Sequence, residues 1–109
     1  MHPLKLPEPL AAFFAAHGKA PDAFARCFAA DATVRDEGRT YQGREAIQAW
    51  QAEASARYAY TSTPQALEHR DAWCIVTSRV EGSFPGSPVD LRYRFQLEQG
   101  LIAALEVAP

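Results

Sequence analysis

The chain has only two cysteines, Cys27 and Cys74, and three histidines, and no pair of these stands at metal-ligand spacing. That scarcity argues against a catalytic zinc or iron, and no metal or other cofactor is expected. The cysteines read as small apolar groups in a reducing compartment, with a disulfide as the weaker alternative. Basic residues are not in surplus either: 11 Lys and Arg against 13 Asp and Glu leave a net charge of -2. With no basic tail or stripe to follow a phosphate backbone, nucleic acid is not an expected partner. No apolar run could span a bilayer, and the N-terminus lacks a basic stretch followed by an apolar one. The expectation is a soluble, cytoplasmic protein without a membrane partner. No glycine loop suits a phosphate, no serine sits in a strand–turn–helix context, and no internal repeat is visible. What is plentiful is apolar: 48% of 109 residues are hydrophobic. That suffices for one domain and one core, and a second subunit would help to cover so small a body.

Residues 1–8 contain Pro3 and Pro7 without periodicity and read as a flexible N-terminal arm, leaving 9–109 as a single domain. Pro9 suits the first turn of a helix through 10–17, where Leu10, Phe13, Phe14 and His17 share a stripe and Gly18 marks the end. Pro21 and Asp22 open a second helix with Phe24, Cys27 and Phe28 inward, and the helical segment is expected to stop at Asp31. Residues 32–35 read as a short strand and Asp36-Glu37-Gly38-Arg39 as a turn. Gly43 precedes the longest helix, 44 to about 58, with Ile47, Trp50, Ala54 and Tyr58 on one face and Glu45, Gln48 and Glu53 toward water.

From Tyr60 onward the period changes to two. Strands are expected at 60–70, bent by Pro64, and at 73–81, 89–97 and 101–107. Phe84-Pro85-Gly86-Ser87-Pro88 is a rigid connection, fit either to close a pocket mouth or to hold the strands in register. Helices first and an antiparallel meander after them define an α+β fold, helices covering one sheet face. Residues 89–97 alternate most clearly, with Asp90, Arg92, Arg94 and Gln96 on the outer side. An outer face that is polar yet carries Trp73 suggests a homodimer through that face.

Asp36 is the first candidate for chemistry. It is either a solvated turn residue or a carboxylate on a pocket rim, its basicity raised by apolar neighbours. His69, flanked by Glu68 and Arg70, is either an exposed strand-end histidine or an acid–base group near neutrality. His17 reads as a cap on the last helical carbonyls, and His2 lies in the arm. Tyr41, Trp50, Tyr58, Tyr60, Trp73 and Tyr93 exceed what a minimal core needs. Each tryptophan alone fits a core, but such a set with a few hydroxyls and one carboxylate would line a pocket for a small apolar ligand. Strand alternation turns Tyr93 to the apolar face and makes it the best hydroxyl donor. Arg79 either pairs with Glu81 or reaches the pocket.

The run FAADATVRD at 28–36, followed by YQGREAIQAW at 41–50, resembles the signature of the NTF2-like (SnoaL-like) superfamily, and the order of elements follows that family from Leu10 to Val107. The resemblance implies a cone of N-terminal helices packed on a strongly curved antiparallel sheet, enclosing a pocket, commonly as a dimer. It implies no single activity, since such proteins include isomerases, dehydratases, cyclases, epoxide hydrolases and transport factors. Asp36 resembles the general base of the ketosteroid isomerase members. Phe14 and Leu91 stand where those members place their oxyanion-holding tyrosine and acid, so both donors are missing. The His/Asp pair of dehydratase-like members is not evident. The candidate catalytic set is then Asp36, Tyr93 and His69, and the candidate lining Phe14, Trp50, Tyr58, Trp73 and Leu91. Three functions stay open: a dimeric pocket protein for a small apolar ligand, an isomerase or lyase on a small cyclic or carbonyl compound with Asp36 as base, and a non-catalytic interaction scaffold.

Overall fold

A computed structural model describes residues 5–16, 21–57 and 59–109. His2, His17, Gly18 and Tyr58 lie outside the described residues. Nine elements follow in order: α1 (Glu8–Ala16), α2 (Pro21–Arg26), β1 (Phe28–Asp36), β2 (Arg39–Gln42), α3 (Arg44–Arg57), β3 (Tyr60–Arg70), β4 (Trp73–Gly82), β5 (Val89–Glu98) and β6 (Leu101–Ala108). The strands form one sheet in the order β2-β1-β6-β5-β4-β3. β3 to β6 make the expected antiparallel meander, and β1 adds to β6 in parallel.

The boundaries differ from the sequence reading in three places: α1 begins at Glu8, inside the expected arm; Asp36 and Arg39, expected in the turn, belong to β1 and to β2, a strand that was not expected; and the second helix is shorter than expected. The second helix ends at Arg26, and residues 28–31 belong to β1 rather than to the helix. Local alanine content favours helix only weakly, and pairing overrides it. The Ile102 N–H donates to the Cys27 carbonyl at 2.8 Å, Phe28 stands opposite Ile102, and the Arg44 guanidinium donates to the Phe28 carbonyl at 2.8 Å. Phe28, Ala32 and Val34 are fully buried along this strand.

Register shifts interrupt the ladders between Phe28 and Thr33, between Pro64 and Ala66, and between Gln96 and Leu97. Such bulges bend and twist a strand, and they curl this sheet around its helices. Pro64 is accommodated because β3 is an edge strand. The β1–β2 turn holds Glu37 and Gly38 at φ 52° and 77°, the left-handed pair that a tight two-residue hairpin demands.

The core lies on the concave side. Phe13 of α1 is fully buried, with ring centroids 5.1 Å from Phe24, 5.2 Å from Phe95 and 6.0 Å from Phe28. Helix α3 lays Ile47 and Trp50 on β1 and, beyond the expected apolar face, also buries Gln51. This aromatic plug fills one end of the cone and leaves the other end open.

Candidate active site

The open end is a cavity of about 710 Å³. Its walls come from the end of β1, from β2, from one face of α3, from the start of β3, and from the β4–β5 connection with the strands on either side of it. Val80, Val89, Leu91 and Val107 supply aliphatic wall, and Tyr41, Trp50, Tyr60, Phe84 and Tyr93 aromatic wall. The prolyl connection therefore does contribute to a pocket mouth, through Phe84 and Pro85.

Asp36 ends β1, opposite Val107 of β6 and Arg39 of β2, so its position is fixed by strand pairing on both sides. Its Oδ2 accepts a hydrogen bond from the Trp50 indole N–H at 3.0 Å. Burial pushes the Asp36 carboxyl above the ordinary carboxylate value; the Trp50 bond opposes that rise, the Glu37 charge adds to it, and the Glu37 backbone N–H opposes it. The result is a half-buried acid more basic than a surface aspartate.

Tyr93 is 3% exposed. Burial pushes its hydroxyl up to about 12, a hydrogen bond from Ser62 works the other way, and the nearby Tyr60 and Asp36 charges add to the rise. The hydroxyl keeps its proton throughout the neutral range. Behind it, Ser62 and the fully buried Ser78 share a hydrogen bond of 2.7 Å, and Ser62 Oγ lies 3.5 Å from the Tyr93 oxygen. Next to this group the Gln51 amide donates to the Tyr60 hydroxyl at 3.3 Å. The inner cavity wall thus sets the Asp36 carboxylate and the Tyr60 and Tyr93 hydroxyls in mostly apolar surface, with Glu37, Glu53 and Tyr41 also among the lining residues.

Of the residues singled out from sequence, Asp36, Tyr41, Trp50, Tyr60, Leu91 and Tyr93 line this one cavity. The other described candidates lie elsewhere. His69 is exposed near the hairpin end of β3, with a ring nitrogen 3.6 Å from Cys74 Sγ. It follows Tyr60 by nine positions on the same strand, roughly 30 Å at strand rise, too far to serve the cavity. Trp73 is on the convex face, beneath the Arg94 guanidinium at 4.8 Å. Phe14 packs on Tyr93 and Phe95, at 5.4 and 6.1 Å between centroids, and closes the core behind the cavity instead of facing into it. Arg79 takes neither expected partner and pairs with Asp90 across β4 and β5 at 3.5 Å. Val80, Val89 and Val107 were not singled out from the sequence; Glu53 faces water as expected and, with Arg57, also stands at the cavity rim. The valines were findable from strand parity, because Val80 shares the face of Val76 and Ser78; the rim pair was not. Among the described residues no three His, Cys, Asp or Glu side chains gather as a metal site, and no helix is long and apolar enough to cross a membrane.

Comparison with known proteins agrees with this architecture. The SnoaL-like domain family matches residues 10–105, and the chain belongs to that family. A proposed polyketide cyclase from Sinorhizobium meliloti is 38% identical, superimposes with a TM-score of 0.90, and is matched over 94% of this chain and 95% of that one. A protein of ketosteroid isomerase-like fold from Catenulispora acidiphila, solved in complex with trimethylamine, is 25% identical with a TM-score of 0.84, over 96% and 87% of the two chains. A proposed ketosteroid isomerase from Kribbella flavida shares the fold at 14% identity, with a TM-score of 0.78 over 93% and 74%. A search among curated proteins returns no match.

Proposed function

We infer that the cavity takes a small, largely apolar molecule and that Asp36 is the group through which the protein addresses it. The observation that carries this reading is a half-buried carboxylate, raised in basicity by burial, on the wall of a 710 Å³ cavity of mostly aliphatic and aromatic surface. That volume lies within the range of pockets that enclose drug-sized molecules, roughly 300–1,000 Å³. The cyclase proposed for the Sinorhizobium relative fits a compact cyclic ligand.

A second reading, isomerase or lyase, is favoured by the electrostatic proximity of Tyr93 to Asp36. Asp36 would accept a proton from a carbon next to a carbonyl, and the neutral Tyr93 hydroxyl would donate to the oxygen on which charge develops. His69 has no part in this scheme because of its distance along β3. The partner that fits the convex face is a second copy. Trp73, Ile75 and Thr77 lie there half-buried along β4, among the Arg79–Asp90 and Arg94–Glu106 pairs.

The test is a thermal-shift screen of small cyclic and carbonyl compounds against the wild type, Asp36→Asn and Leu91→Trp. Hits should stabilise the wild type, lose most of their effect in Asp36→Asn, and fail in Leu91→Trp, where the added ring fills the cavity. Hits that stabilise all three proteins equally bind elsewhere and would refute the reading.

A further inference from the structure

The Asp36 carboxylate has no cationic partner among the described residues. Among the described residues its bonds come from neutral N–H donors, the Trp50 indole and the Glu37 backbone, and it joins no ion pair. Two guanidiniums stand on the cavity wall, and neither forms an ion pair with Asp36, although Arg39 is its cross-strand neighbour on β2. Arg57 pairs with Glu53 at 3.4 Å, and Arg39 is exposed at the rim. With Glu37 included, three carboxylates face two guanidiniums around the cavity, so its field is negative on balance.

The surroundings of Asp36 have a second property. Tyr41, Trp50, Tyr60, Phe84 and Tyr93 bring five aromatic rings to one cavity from five different segments of the chain. The faces of aromatic rings carry negative partial charge and attract cations, most strongly where water is excluded. An apolar ligand could be held by aliphatic walls alone. Aromatic walls combined with an uncompensated carboxylate select for positive charge spread over carbon-bound hydrogens.

We propose that the ligand of this cavity carries a substituted ammonium group, with the aromatic rings around its alkyl substituents and Asp36 as its counter-charge. This deepens the cavity reading given above and rests on it. It specifies an apolar body with one cationic nitrogen, and it makes Asp36 an anchor. An ammonium seated there would lower the basicity of Asp36, so the anchor and proton-acceptor roles are distinguishable.

The experiment compares choline with its neutral carbon isostere, 3,3-dimethylbutan-1-ol, by NMR titration of the full-length protein. The readout is the Trp50 indole N–H resonance, the proton that Asp36 accepts. Choline should bind about tenfold more tightly than the isostere, as one cation–aromatic contact set at a desolvated site gives. Asp36→Asn should remove most of that preference, and Tyr60→Leu should reduce it as well. Equal binding of both probes by the wild type would overturn the proposal and leave the cavity reading standing. Perturbation by neither probe would overturn both.

Discussion

Asp36 holds its charge where burial works against it, and the Trp50 N–H offsets part of that cost. A carboxyl whose value is higher in the folded than in the unfolded chain adds stability below its unfolded value, near 3.8, and loses that contribution as pH rises through its native value. Asp36→Asn keeps an acceptor for Trp50 and removes the charge. It should therefore raise stability at pH 7 by about 1 kcal/mol or less. The gain should vanish below the unfolded value, where the wild-type carboxyl is protonated in both states; urea unfolding at pH 7 and pH 3.5 checks both signs. Trp50→Phe removes the donor, so Asp36 should titrate still higher than in the wild type, as carbon-detected NMR of the carboxyl would show. The place of Asp36 and Tyr93 on a cavity wall was legible because an acidic residue at a strand end and a regular alternation each carry local information. His69 misled for the opposite reason. Its chemistry is local, but its distance from the cavity depends on which end of β3 the cone leaves open.

At the level of elements, the β3–β4 pairing positions Tyr60 and the connection to β5. Gly82 is essential there, since a Cβ at that position would lie 2.3 Å from the Ala59 carbonyl oxygen and 2.8 Å from the Tyr60 Cα. Those neighbours are backbone, so Gly82→Ala forces the main chain apart and should cost about 1–3 kcal/mol. It should also weaken ligand binding by moving Tyr60 and Phe84, which a thermal melt with and without ligand would separate. In the core, Phe13→Ala removes the ring around which Phe24, Phe28 and Phe95 pack and should cost about 3–5 kcal/mol by denaturant titration. Strands β3 to β6 were readable because period-two patterning survives burial on one face. The helical reading of 28–31 failed because alanine propensity is weak beside a partner strand, and β6 lies some 70 residues away in sequence.

For the molecule as a whole, the family motif at 28–50 was enough to identify a curved sheet with helices inside, although the parallel β1–β6 pairing could not be read locally. The convex face remains open in one chain. A dimer through it should sediment at twice the mass of the 12.0 kDa subunit, and Trp73→Lys, which places a second positive charge beside the Arg94 guanidinium, should return it to monomer. The concave cavity beside Asp36 is the proposed functional site. Its most direct test is backbone and indole chemical-shift mapping of the intact protein with any stabilising compound from the screen. Shifts should centre on Asp36, Trp50, Tyr60, Leu91 and Tyr93. Shifts centred instead on Trp73, Ile75 and Arg94, with the cavity residues unmoved, would contradict the claim and place function on the convex surface.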